Sequence, residues 1–215
     1  MIISDHEQNT PEWHAARVGL PTASNANLLI TSTGARSKSL EGYASKLAAD
    51  MFAGKDIDAW EGNRFTERGH EIEAEARNWL AFDRDLDIAQ VGFCTDNLSR
   101  FGASPDGVIH SDNGLVEIKC LPKGHVKSIL YWHEKKKPPP EYLQQIHMQM
   151  FVTDSDYCLL CYYHPELPKV VIRVDRESKF DIELDTQLSA CIDHRDSVLA
   201  QLRAIDAGDT EETDK

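Results

Sequence analysis

No stretch of this 215-residue chain approaches the roughly 20 consecutive apolar residues of a helical membrane span, which excludes that architecture. Cysteine is scarce: Cys94, Cys120, Cys158, Cys161 and Cys191 make five, an odd number at irregular spacings. Cys158 and Cys161 form a CxxC, but no second pair of thiolates or imidazoles follows at a zinc-ligand spacing. Their context, DYCLLCYY, reads as a buried strand, so free core thiols are expected. The opening MIISDHEQNTPEW lacks the basic flank and long apolar core of a secretory signal, and the expected location is cytoplasmic. Positive charge is also short, with 23 Lys and Arg against 36 Asp and Glu and a net charge of −13. That balance weighs against a passive nucleic-acid binder more than against an enzyme with an acidic, metal-filled site.

Bases are concentrated locally. Residues 119 to 137 carry Lys119, Lys123, Lys127, Lys135, Lys136 and Lys137 with a single acid, Glu134. Lys135 to Lys137 read equally as an exposed loop or as a contact for a DNA backbone. Much of the acid sits at the other end, where residues 175 to 215 hold twelve acids and five bases. With 41% hydrophobic and 27% charged residues, the chain can bury a sizeable core. No internal repeat or clear linker divides it, so one domain over 1–207 is expected, with a polar, disordered acidic tail at 208–215.

The first 80 or so residues read as mainly helical. Thr10 and Pro11 open a helix as N-cap and first position, and TASNANLLI (22–30) predicts another. Leu40, Tyr43, Leu47 and Met51 recur at helical spacing before a stop at Gly54, and Ile72, Ala76, Trp79 and Leu80 share one face of a further helix. The pattern then changes. DIAQVGFCT (87–95) alternates as one strand, and residues 106–110 and 115–120 form a hairpin. Helices over 125–134 and 141–152, strands at 156–163 and 169–174, and a long helix from Phe180 to Ile205 complete the chain. The expected fold class is α/β: a mixed sheet flanked by helices.

Three charged residues sit inside that hairpin: Asp106, Glu117 and Lys119. With Asp112 and Asn113 as the turn, Asp106 falls opposite Lys119, and Glu117 shares the Lys119 face. Clustered carboxylates repel unless something neutralises them, and a hard divalent cation such as Mg²⁺ takes oxygen ligands while keeping several waters. A water oriented by Lys119 would then be a nucleophile for phosphodiester cleavage. The same residues also read as an Asp–Lys cross-strand ion pair with Glu117 at the edge.

Pro105-Asp106 followed by Glu117-x-Lys119 resembles the PD-(D/E)xK nuclease signature. The blocks WHAARVGLPTAS, RGHEIEAEAR, SPDGVI, LVEIKC and YLQQIHMQMFV stand in the order of the YqaJ-type viral recombinase, or lambda exonuclease, family, from Trp13 to Val152. The resemblance implies a restriction-endonuclease-like core behind a helical N-terminal segment. It also implies a metal-dependent exonuclease that degrades the 5′-ended strand of linear double-stranded DNA. Family members form a homotrimer ring in a bacterial or phage-infected cell and pass the 3′ overhang to a single-strand annealing protein.

Carried over by position, Asp106, Glu117, the Ile118 carbonyl and Glu73 would bind Mg²⁺, or Mn²⁺ in its place, and Lys119 would orient the attacking water. Arg17, Ser24 and Ser104 would hold the 5′-terminal phosphate, with Arg36 as a helper. Gln145 carries over as a catalytic-site residue. His147 stands where the family has glutamine and is either a site residue or packed. Glu71 and Glu75 read as solvated, Trp13 and Trp79 as core, and His70, His110, His125 and His133 share no metal spacing. Restriction-type endonucleases and junction resolvases use the same signature, and a non-catalytic DNA-end binder could keep the fold. CRISPR-adaptation-type exonucleases usually need a four-cysteine iron–sulfur set that this spacing cannot form.

Overall fold

The computed structural model describes residues 1–58, 64–120 and 122–208; side chains at 64–71 and 122–124 are not described. The expectations for His70, Glu71, Lys123 and residues 209–215 therefore lie outside the described residues. In chain order the elements are β1 (Ile2–Ile3), α1 (Pro11–Ala15), a 3-10 helix (Ala23–Leu28), α2 (Leu40–Ala53), α3 (Arg64–Arg84), β2 (Ile88–Ala89), β3 (Cys94–Thr95), β4 (Gly102–Ala103), β5 (Gly107–Ile109) and β6 (Gly114–Lys119). They continue with α4 (Pro122–Lys135), a 3-10 turn (Pro140–Tyr142), α5 (Leu143–Thr153), β7 (Tyr157–Tyr162), β8 (Val170–Asp175) and α6 (Ser178–Asp206).

Local chemistry explains several boundaries. The Thr10 hydroxyl accepts from the Trp13 amide and caps α1, with Pro11 at its first position. Gly54 ends α2 in the left-handed conformation at φ 68°. The segment 22–30 tightens to a 3-10 helix rather than an α-helix. It is rich in Ser and Asn, which disfavour a regular α-helix, and its N-cap Thr22 amide donates outward to the Tyr43 hydroxyl at 3.2 Å.

A five-stranded sheet runs in the order β2-β5-β6-β7-β8, and β1-β3-β4 form a smaller antiparallel sheet. β6 and β7 pair in parallel through the α4–α5 crossover, while the other pairs are antiparallel. The single strand expected over 87–95 is thus two strands in two sheets. Gly92 lies between them, where a Cβ would come within 2.3 Å of the Ser4 carbonyl oxygen, so the chain crosses there only without a side chain.

Alternation along β6 divides the core. Val116 and Ile118 pack with Ala76 and Leu80 of α3, whereas Leu115 packs on the other face with Ile146 and Met150 of α5. A third cluster joins the first 3-10 helix, α2, α5, α6 and the small sheet. The four-residue loop 110–113 closes the β5–β6 hairpin, with Asn113 left-handed at φ 56° and Ile109 opposite Gly114. This register differs from the two-residue turn expected from sequence. Because Gly107 pairs with Val116, Asp106 comes opposite Glu117 rather than Lys119.

Candidate active site

The three hairpin charges meet where β5 begins and β6 ends. Asp106 Oδ2 accepts the Ile118 amide at 2.6 Å, and the Asp106 amide donates to the Val116 carbonyl at 3.0 Å. Along the same face of β6, Lys119 Nζ donates to Glu117 Oε1 at 2.6 Å and sits 4.4 Å from the centre of the Tyr142 ring. Burial and then the charges of Glu117 and Glu73 push the Asp106 carboxyl well above its usual range, against the pull of the Ile118 amide and Lys119. Burial works to lower Lys119, but Glu117 overcomes it, and the ammonium is held above its usual value. The cation is therefore secure, while the two carboxylates crowd each other.

Helix α5 lies over Glu117 and satisfies it. Gln145 Nε2 donates to Oε1 at 2.7 Å, and the Gln149 amide donates to Oε2 at 2.6 Å. Gln145 Oε1 also accepts from Lys119 at 3.3 Å. Gln145 and Gln149 stand one helical turn apart and share a face; His147, two residues from each, faces away. His147 is fully buried, stacked on Phe180 at 3.8 Å, with its Nε2 3.8 Å from Glu177. The structure does not bring it to Asp106, Glu117 or Lys119, so of its two readings the packed one fits. Gln149 was missed from sequence, although the i, i+4 spacing to Gln145 was available as a signal. Replacing Gln149 with methionine leaves a buried carboxylate oxygen without its donor. Urea unfolding without metal is expected to show a loss of about 1–3 kcal/mol.

Burial lowers the His147 imidazole to about 4. A folded-state value below that of the unfolded chain means that the unfolded state takes up the proton first. Stability attached to this residue is therefore intact above about pH 6.5 and is lost as pH falls from there toward 4. His147→Phe is expected to flatten the fall in melting temperature across that window.

Arg77, one turn after Glu73 on α3, is a second residue that sequence reasoning missed. Its Nε donates to the Asp106 carbonyl at 2.7 Å, while its other nitrogens reach Gln90 at 3.3 Å and Glu73 at 3.4 Å. It ties the helix carrying Glu73 to the backbone of Asp106. The neighbouring Glu75 is exposed, as expected, and also accepts from the Tyr163 hydroxyl at 2.6 Å.

The residues expected to hold a terminal phosphate also gather. Arg17 Nη2 donates to the Ser24 hydroxyl at 3.1 Å, and its guanidinium stacks 4.0 Å from the Trp13 ring. The indole N–H of Trp13 donates to Ser104 Oγ at 3.1 Å, two residues before Asp106. Trp13 is thus both core, as expected, and the bridge between these groups. Burial brings Arg17 down to about 10, still a cation at neutral pH. Arg36 instead pairs with Glu41 at 3.0 Å on the surface. All five cysteines are free thiols; Cys158 and Cys161 are buried in β7, and burial raises both.

Among the described residues, no three or more His, Cys, Asp or Glu side chains close on one point. The set at the hairpin is instead two crowded carboxylates, Asp106 and Glu117, both oxygen donors. Mg²⁺ binds in that manner, through one or two carboxylates with water filling the rest of its shell, so the residues present fit a hard divalent cation.

A sheet flanked by helices, with Asp, Glu and Lys on adjacent strand ends, defines the class: a PD-(D/E)xK fold. The chain belongs to the YqaJ-like viral recombinase domain family, which it matches over residues 12–156. It resembles an alkaline exonuclease, LHK-Exo, from Laribacter hongkongensis, at 29% identity and a TM-score of 0.79, over 94% of this chain and 100% of that one. The structure of LHK-Exo in complex with dAMP matches equally. A phage-related exonuclease from Haemophilus somnus 129PT, at 16% identity and a TM-score of 0.67, covers 85% of this chain and 96% of its own and shares the fold. No curated protein matches the chain. Family and fold place this chain among the exonucleases, as an enzyme. No helix among the described residues is long and apolar enough to cross a membrane.

Proposed function

We propose that the chain is a Mg²⁺-dependent 5′-to-3′ exonuclease. It degrades the 5′-ended strand of linear double-stranded DNA and leaves 3′ overhangs for a single-strand annealing protein, working as a homotrimer ring. One observation carries the polarity: the Arg17–Ser24 pair reaches through Trp13 to Ser104, next but one to Asp106. A guanidinium with hydroxyls is a phosphate pocket, and here it adjoins the carboxylate pair. A 5′-terminal phosphate seated there sets the first phosphodiester beside Asp106 and Glu117 and marks the strand that is cut.

Asp106, Glu117 and the Ile118 carbonyl, with Glu73 behind them, would hold the cation, Mg²⁺ or Mn²⁺ in its place. When bound, it supplies charge neutralisation and polarises the scissile phosphate. The protein's own groups do the rest. Lys119, kept protonated beside Glu117, orients the attacking water and faces the charge that grows on the phosphate oxygens. Gln145 and Gln149 fix the Glu117 carboxylate so that it need not reorganise during turnover.

A linear duplex labelled separately at its 5′ and 3′ ends, incubated with Mg²⁺ or EDTA beside Lys119→Ala, tests this reading. Metal-dependent loss from the 5′ label, absent in the variant, is the expected result. Cleavage of closed circles or junctions would make the chain an endonuclease or resolvase of the same fold, and end binding without cleavage would make it a binding module.

A further inference from the structure

Helix α4 presents a continuous outward face of Val126, Lys127, Leu130, His133 and Glu134, and it ends in Lys135, Lys136 and Lys137, all exposed. Val126 is 46% and Leu130 62% exposed, and Lys127 lies between them on this face, with the cations concentrated at its end. Lys135 pairs only with its neighbour Glu134, at 2.6 Å, and among the described residues Lys127, Lys136 and Lys137 form no ion pair. Lys136 is left-handed at φ 52°, just past the helix end, where glycine or asparagine is the usual occupant. A lysine at that position keeps a cation at the tip at some backbone cost.

The base of this projection lies beside the active site, and its tip is tied back to the helix. The Lys136 amide donates to the Trp132 carbonyl at 2.9 Å, and Pro138 to Pro140 stiffen the return with Pro139 buried. Ser128 Oγ donates to Glu141 at 2.9 Å and closes the base of this projection. Tyr142, next in the chain, lies over Lys119. At 1.5 Å per residue the lysine tip stands about 10 Å beyond Ser128, and Lys127 lies about 12 Å from Lys135. Successive phosphates of one DNA strand advance about 3.4 Å along the axis, so the face spans three to four of them.

We propose that this face of α4 and its Lys135–Lys137 tip form a contact for the duplex DNA backbone, holding phosphates a few nucleotides from the scissile bond. The proposal rests on the DNA-exonuclease reading above. In a chain of net charge −13, a local run of cations is where a polyanion would be held.

The test measures binding of the full-length protein to a blunt linear duplex in EDTA, where no cutting occurs, across a salt series. Wild type is compared with Lys135→Gln/Lys136→Gln/Lys137→Gln and with a control of equal charge change, Lys38→Gln/Lys179→Gln/Arg203→Gln. The expected result is weaker binding by the tip variant, with a slope of log affinity against log salt shallower by about two to three, and a wild-type slope in the control. An unchanged slope in the tip variant, or an equal change in the control, overturns the contact. Wild-type protein that shows no salt-dependent DNA binding would sink the DNA reading itself, which is a distinguishable failure.

Discussion

Asp106→Asn is expected to reduce Mg²⁺-dependent cleavage of linear DNA by at least about a thousandfold, while raising the melting temperature of the metal-free protein. The two effects have one cause. Asp106 is half-buried beside Glu117 and Glu73, and its charge is unfavourable there until a cation arrives. An asparagine oxygen can still accept the Ile118 amide that Asp106 Oδ2 holds at 2.6 Å, so the hairpin keeps its geometry. What disappears is the charge, and with it both the repulsion and the proposed cation ligand. Differential scanning with and without Mg²⁺ checks the pair of outcomes. Wild type should gain melting temperature on adding the metal, and the variant should start higher and gain little. A variant that melts lower without metal would mean that Asp106 is a structural ion-pair partner of Lys119.

The second large effect is expected at the other end of the site. Arg17→Ala should remove about 2–3 kcal/mol of discrimination in favour of 5′-phosphorylated ends, or about 30- to 150-fold in the ratio of kcat/KM for phosphate and hydroxyl ends. Cleavage from 5′-hydroxyl ends should change little, because Arg17 contacts Ser24 and Trp13 rather than the carboxylates. Trp13 is 7% exposed and anchored through Ser104, so the pocket floor survives loss of the guanidinium. Equal loss on both kinds of end would assign Arg17 to general DNA binding instead of end recognition.

Much of this architecture was readable because its signals are local. Thr10-Pro11 and Gly54 mark helix ends through their own backbone preferences, and the apolar periodicity of α2 and α6 survives without knowledge of their partners. The hairpin was legible for the same reason, since strand alternation puts Glu117 and Lys119 on one face. Its register was not. Which residue faces Asp106 depends on whether Asn113 adopts the left-handed conformation and on the Gly114 backbone fitting against Tyr157, a residue 43 positions away. The N-terminal strand β1 escaped notice because two residues carry no pattern; it exists by pairing with Cys94 and Thr95.

The sequence by itself determined the chemistry on offer: two carboxylates and a lysine at the end of one hairpin, an arginine and serines ahead of them, and helices with clear faces. Only the tertiary structure decided which groups complete the site. Gln149 rather than His147 joins Gln145 because α5 packs with that face over Glu117, and the opposite face of the same helix buries His147 against Phe180 of α6. Arg77 reaches the Asp106 backbone because α3 packs on the sheet face beside β5 and β6. The reason is range: helix ends, turns and strand alternation are set within a few residues, whereas a donor for a buried carboxylate is chosen by whichever distant element packs beside it.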